Sequence, residues 1–374
     1  MRAFRFLLVN AALVVLILLA VNFLSALILT VDRAFEIGSG AKDGRTGLPV
    51  FADQEAASRI FDDFYRVRFD YQPYAGWRAV RYRGATTEID ENGRRVSPQP
   101  ADRNASVVHF FGGSTTWGAG AGGSETIPAH FARLAGVRTV NNGQSGFVSR
   151  QNLAALLNVI DRGERLDVAI FYDGVNDVLA LCRSAEALGG HLEDARMRRD
   201  LRQSGVNRPW LWDTLFGATV PFLTKAVNKA AAIAGRAPLI GMPGQLATSV
   251  CQSDPTHAER VANAMIANWQ RANLLLIYEG QNFIGVLQPV AFIGSARTDY
   301  LVLDESLRGN YEAVYPILRR KLAEQTEITV VDLTHIFDGG ESVYMDWAHI
   351  NGRGNELVAA ALRDALLDLP GGNR

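Results

Sequence analysis

Residues Phe6 to Val31 form an almost unbroken apolar run, preceded by Arg2 and Arg5 and followed by Asp32 and Arg33. As a helix rising about 1.5 Å per residue it reaches roughly 39 Å, against a bilayer hydrocarbon core of ~30 Å, so it can span with some tilt. The run exceeds the roughly 7 to 15 apolar residues of a signal-peptide core, and no convincing small-x-small cleavage site follows it. An uncleaved single-pass anchor is therefore expected. Arginines ahead of the span, with little positive charge behind it, predict a cytoplasmic N-terminus and place the remainder outside. Asn10 and Asn22 lie within the run, and each can hydrogen-bond to another helix.

The rest of the chain must then fold in water. With 374 residues, 48% of them hydrophobic, it can bury a sizeable core as one large domain with additions or as two modest ones. A formal charge of -1 and the absence of a long basic run give no reason to expect nucleic acid as a partner. Cys182 and Cys251 have no neighbours at metal-ligand spacing, so no metal is expected, nor any cofactor.

Three regions are expected: the cytoplasmic N-terminus and anchor over 1–33, a linker and β-rich extension over 34–105, and the main domain over 106–370. The Gly-rich stretch Ile37 to Gly47 reads as a flexible connection. Tyr71 to Trp77 and Arg78 to Val96 read as short strands, with Asp90-Glu91-Asn92-Gly93 as a turn. From Ser106 apolar strand runs alternate with longer helical segments. Strands are predicted at Val107–Phe111, Thr139–Asn142, Val168–Tyr172, Phe283–Leu287 and Ile328–Asp332. Val261, Met265, Trp269, Ala272 and Leu276 share one helical face, as do Leu307, Tyr311, Val314, Leu318 and Leu322. Such alternation predicts a mainly parallel sheet covered on both faces.

A long insertion, about 180–255, follows the third strand. It begins charged and then turns apolar around Trp210, Trp212, Phe216 and Phe222. Those aromatics suit packing under the insertion, a lid or acyl-binding wall, or contact with the bilayer. Cys182 and Cys251 stand near its ends, and outside the cytoplasm a disulfide between them is chemically permitted; two separate buried thiols are the alternative.

The strand Val107–Phe111 runs into Gly112-Gly113-Ser114, which brings a hydroxyl to the edge of the sheet, where open α/β folds bind ligands. Serine needs a base, and Asp346-Trp347-Ala348-His349 sets a carboxylate three residues before an imidazole. The other histidines lack such a setting: His109 and His335 adjoin apolar runs, and His130, His191 and His257 have no motif nearby. Two further loops after strands offer donors for a developing oxyanion: Asn141 to Gly146, and Asp173-Gly174-Val175-Asn176-Asp177.

In order and context these four stretches resemble the SGNH, or GDSL-type, serine hydrolases over about residues 106–368. Gly112-Gly113-Ser114 matches the first block, Gly146 the second, Gly174-x-Asn176-Asp177 the third and Asp346-x-x-His349 the last, with Asn351 and Gly354 beyond it. The resemblance implies a flavodoxin-like three-layer α/β/α sandwich. It also implies Ser114 as nucleophile, His349 as base and Asp346 as its support. The N–H groups of Ser114 and Gly146 and the Asn176 amide would form the oxyanion hole. The sequence departs from the pattern twice: Gly113 stands where the signature has aspartate, and Ile350 where proline commonly follows the histidine.

The expected activity is ester hydrolysis through an acyl-Ser114 intermediate, removing a short acyl group such as acetyl from a glycan or lipid-like ester in the periplasm of a bacterium, with the anchor in the inner membrane. The same site would serve an O-acyltransferase acting on an envelope polysaccharide. A non-catalytic glycan-binding or assembly module is the reading from another class.

Overall fold

The computed structural model describes residues 2–38, 43–185, 187–204, 214–233 and 250–367. The chain divides into two compact units, Met1–Ala41 with Glu193–Ala247, and Lys42–Leu192 with Thr248–Arg374. The expected insertion is therefore trimmed at both ends: residues up to 192 and from 248 belong to the larger unit.

In the smaller unit Arg2–Gly38 is one continuous helix, and its stretch Phe4–Asp32 is long and apolar enough to cross a membrane. A second helix, Thr219–Ile233, packs on it. Asn10 turns back on its own helix, Nδ2 donating to the Phe6 carbonyl at 2.7 Å, whereas Asn22 bonds across to residues 214–219. Phe216 and Phe222 are partly buried in this unit, while Trp210 and Trp212 lie outside the described residues.

The larger unit begins with a segment that is less purely β than its sequence suggests. Gly44–Gly47 is a 3-10 turn, and Gln54–Arg66 is a helix where no helix was expected. Asp53 starts that helix by accepting the N–H groups of Glu55 and Ala56, and Ala57, Ile60 and Phe61 bury one face at i, i+3 and i+4 spacing. Two short antiparallel pairs follow: β1 (Phe69–Gln72) with β2 (Gly76–Ala79), and β3 (Tyr82–Arg83) with β4 (Glu88–Ile89).

The core is a parallel sheet of β5 (Val107–Gly112), β6 (Arg138–Asn141), β7 (Val168–Asp173), β8 (Asn282–Leu287) and β9 (Thr329–Asp332). The order β6-β5-β7-β8-β9 places the second strand outside the first, as in flavodoxin-like sheets. Every residue of β5 and β7 is buried, which follows from helices covering both faces. Ser149–Asp161, Pro255–Tyr278 and Glu305–Ala323 pack on one face, and Ile127–Ala135 with Gly352–Leu367 on the other. The two predicted helical faces are the buried ones, with Leu307 only partly covered. Because strand order reverses at β5, the crevice beyond its C-terminal end, beside β7, is the topological switch point. Gly112-Gly113-Ser114 and Asp173-Gly174-Val175-Asn176 both emerge there.

Cys182 and Cys251 are joined, with Cα atoms 5.2 Å apart and a sequence separation of 69. A loop of that length contributes up to about 4 kcal/mol in the chain-entropy model. The double variant Cys182→Ser/Cys251→Ser is expected to lose stability on this scale, measured from the midpoint of urea unfolding.

Two carboxyls are buried in this core without a cation. Burial, reinforced by the neighbouring Asp177 charge, raises Asp173 far above the usual carboxylate range, despite hydrogen bonds from Trp269 Nε1 at 2.8 Å and Asn152 Nδ2 at 2.6 Å. Burial likewise pushes Asp177 up to about 6, although the Ser149 hydroxyl and N–H donate to it. Folded protein thus holds protons that the unfolded chain releases near pH 4, so their contribution is greatest below that pH and is lost as pH rises through 6. Melting temperature is expected to fall from pH 5 to pH 8, and Asp173→Asn should flatten that slope; an equally steep slope in the variant would count against this assignment.

Candidate active site

Ser114 opens the four-residue helix Ser114–Trp117 directly after β5, so its side chain stands at the sheet edge and stays partly accessible. Close approach demands glycine before it. A Cβ on Gly112 would sit 2.1 Å from Thr116 Oγ1, and one on Gly113 would sit 2.2 Å from Asn176 Nδ2. In this chain the Asn176 amide occupies the space a side chain at 113 would need.

Ser114 Oγ lies 2.7 Å from His349 Nε2. On the far side of the ring Nδ1 lies 2.9 and 2.8 Å from the two Asp346 oxygens. With Nδ1–H donating to the carboxylate, Nε2 is left to accept the serine proton, the tautomer a general base requires. Asp346 and His349 share a tight bend closed by a bridge between Tyr344 and Ile350. Asp346 Oδ1 also accepts the N–H groups of Ala348 at 2.9 Å and His349 at 2.8 Å, which locks carboxylate and imidazole into one turn. Ile350, in the place of the proline, is buried and supplies that bridge.

Asp346 has a third partner that sequence reasoning missed. Arg45 Nη1 donates to its Oδ2 at 2.9 Å. The guanidinium is itself held by Asp43 through Nε and Nη2 and lies 4.4 Å over the Phe61 ring, while the Tyr65 hydroxyl donates to Asp43 at 2.8 Å. Burial works against ionising Asp346, but the His349 charge and the hydrogen bonds it receives outweigh this and hold its carboxyl well below the usual range. No motif signals Arg45, because it reaches the site across 301 residues of sequence from a segment that reads as linker. Arg45→Met is expected to lower kcat/KM about tenfold, roughly 1.4 kcal/mol, because Asp346 loses the contact that fixes it against the imidazole. Arg45→Lys should recover part of that loss; a purely structural arginine would change melting temperature and leave kcat/KM of the folded enzyme in place.

The two expected donor loops also converge. Asn176, at the start of the helix Val175–Leu181, donates through Nδ2 to the Phe147 carbonyl at 2.9 Å, leaving its second amide hydrogen for a ligand beside Ser114. Gly146 adopts φ +80°, a left-handed conformation natural to glycine, and a Cβ there would crowd Leu192 at 3.2 Å. Trp77 Nε1 donates to Ser145 O at 3.0 Å, and Asn141 joins the loop to the helix Ser114–Trp117 by donating to Thr116 O. Arg95 is a further unexpected support. It is fully buried, stacks 4.4 Å over Trp117, and donates to the carbonyls of Trp117, Gly118 and Ala121 just behind the serine. The remaining histidines have partners away from Ser114: His109 bonds Arg165 O, His257 bonds Leu181 O, His130 accepts from Arg133 and His335 pairs with Asp338. Trp77 packs on His191.

No protein-family model and no curated protein matches the chain. Similar solved structures include an α/β hydrolase enzyme from the metagenome of Lake Arreo in Spain, 16% identical, TM-score 0.36, covering 72% of this chain and 96% of that one. Another is a carbohydrate acetylesterase family member from Sinorhizobium meliloti, 13% identical, TM-score 0.35, covering 70% and 97%. A third is a member of the lipolytic protein G-D-S-L family from Veillonella parvula, 15% identical, TM-score 0.39, covering 71% and 100%. The site's own geometry is a serine, a histidine and a carboxylate in hydrogen-bonded series at the switch point of a parallel sheet, with the Asn176 amide against Gly113 and bonded to the Phe147 carbonyl.

Proposed function

We propose that the chain is a serine-dependent ester hydrolase of the SGNH type, and the observation that carries this is the continuous series Ser114–His349–Asp346 at 2.7 and 2.8 Å. His349 Nε2 takes the Ser114 proton as Oγ bonds to the acyl carbon. The Ser114 and Gly146 N–H groups and the Asn176 amide take the charge of the tetrahedral oxyanion. Its collapse breaks the ester bond, and His349 returns the proton to the departing alkoxide. Water, deprotonated by the same imidazole, then releases the acid and restores the serine.

The substrate we assign is a short acyl ester, such as acetyl, on a glycan or lipid-like molecule outside the cytoplasm. The Cys182–Cys251 disulfide supports an oxidising compartment, and the apolar N-terminal helix supports an anchor in a bacterial inner membrane with the larger unit in the periplasm. Covalent capture by a fluorophosphonate tests the chemistry: the full chain in detergent should label at Ser114, and a folded chain that resists the probe would remove the enzyme reading and leave a binding module. An ester panel with and without a sugar acceptor then separates hydrolysis from O-acyl transfer.

A further inference from the structure

The smaller unit contains a polar contact in an unusual place. Asn22 lies well inside the apolar stretch Phe4–Asp32, yet its side chain makes four hydrogen bonds. Oδ1 accepts the N–H groups of Ala218 at 2.8 Å and Thr219 at 3.0 Å and the Thr219 hydroxyl at 3.3 Å, and Nδ2 donates to Thr214 O at 2.9 Å. The two N–H groups are among those a helix leaves unsatisfied where it begins, here the helix Thr219–Ile233. Around this contact the long helix presents Asn22, Ser25, Leu29 and Asp32 along one face, and Ser25 is only 3% exposed. Residues such as Leu13, Val14 and Leu16, nearer the N-terminus, are bare.

The two helices also change from apolar to charged at the same level. Asp32 ends the apolar span, Lys225 is the first charge after the uncharged Thr219-Val-Pro-Phe-Leu-Thr224, and the two form an ion pair. From Asn22 to Asp32 is about 15 Å along a helix, roughly half of a ~30 Å hydrocarbon core. If the first helix spans a membrane, the start of the second lies inside the same leaflet, where water cannot satisfy its backbone. Val220 and Leu223 are 50% and 52% exposed there, and acyl chains are the solvent that suits them.

We propose that the insertion carries a re-entrant membrane element: Thr219 to Thr224 is embedded in the leaflet reached by the C-terminal half of the anchor, its helix start is capped by Asn22, and its partner is phospholipid acyl chain. Lys225 and Asp32 mark the headgroup level. The inference rests on the spanning reading of Phe4–Asp32 and is independent of the esterase reading.

Depth-dependent quenching tests it on the full-length chain in phosphatidylcholine/phosphatidylglycerol vesicles. A polarity-insensitive fluorophore is placed at Val220→Cys, at Leu16→Cys in the span, or at Asp70→Cys in the larger unit, and lipids brominated at mid-chain or near the headgroup are compared. Brominated lipid should quench Val220→Cys several-fold more than Asp70→Cys, approaching Leu16→Cys. Quenching at 220 no greater than at 70, with 16 strongly quenched, overturns the inference; an unquenched 16 overturns the spanning reading on which it rests. Asn22→Leu should keep 16 quenched while 220 loses quenching and the 219–233 helix becomes open to protease, with partial recovery in Asn22→Gln. Unchanged quenching at 220 in Asn22→Leu would refute the capping role.

Discussion

Ser114→Ala is expected to abolish fluorophosphonate labelling and to reduce hydrolysis of p-nitrophenyl acetate about 10⁵-fold, with melting temperature unchanged within a degree or two. The size of the effect follows from the geometry. The hydroxyl 2.7 Å from His349 is the only atom of the series that forms a bond to the acyl carbon, and without it binding and the oxyanion donors leave only residual catalysis. Stability should not follow, because Ser114 Oγ is partly exposed and its loss leaves no buried partner unsatisfied. His349→Ala should cost nearly as much, and the double variant little more than either alone, since the two act as one unit. Retention of more than a hundredth of the wild-type rate in Ser114→Ala would place the nucleophile elsewhere.

The second large effect is expected at a residue with no side chain. Gly113→Ala introduces a Cβ at a point 2.2 Å from Asn176 Nδ2, and the short Asn176 side chain must move to admit it. The cheapest movement breaks its bond to Phe147 O and swings the amide away from Ser114. The fold is expected to survive with a modest loss, and if Asn176 is the oxyanion donor we propose, its displacement should cost about 10²- to 10³-fold in kcat. Asn176→Ala should give a loss of similar size, and Gly113→Ala/Asn176→Ala should be no worse than either. Gly113→Asp, which restores the residue of the resembled signature, should also be impaired here. A Gly113→Ala enzyme with wild-type kcat would show that Asn176 contributes nothing to the transition state.

Much of this was legible in the order of the residues. β5 and β7 are buried throughout and read as apolar runs, while β6 and β9 are only partly buried; all five still register in the sequence, with ends shifted by a residue or two. Ser114, Gly146, Asn176, Asp346 and His349 were each visible as a small motif at the end of a strand or in a turn. Their convergence rested on a resemblance until the folded chain brought His349 to within 2.7 Å of Ser114 across 235 residues. The helix Gln54–Arg66 was missed although its signal is local: Asp53 caps it, and Ala57, Ile60, Phe61 and Phe64 follow at helical spacing among polar residues. Arg45 and Arg95 escaped for a different reason: a lone arginine carries no periodic signal, and what each one does depends entirely on which carboxylate or carbonyls the tertiary structure brings beside it.

By itself the sequence determined the long apolar N-terminal run, the parallel sheet and the residue types of the site, because hydropathy, side-chain period and turn chemistry are local properties. Only the tertiary structure decided that Arg45 bears on Asp346, that Gly113 must stay bare for Asn176, and that Asn22 caps a helix nearly two hundred residues away. Each of those is a contact between segments remote in the chain, and its energy exists only once packing has brought the two surfaces together and excluded water from between them.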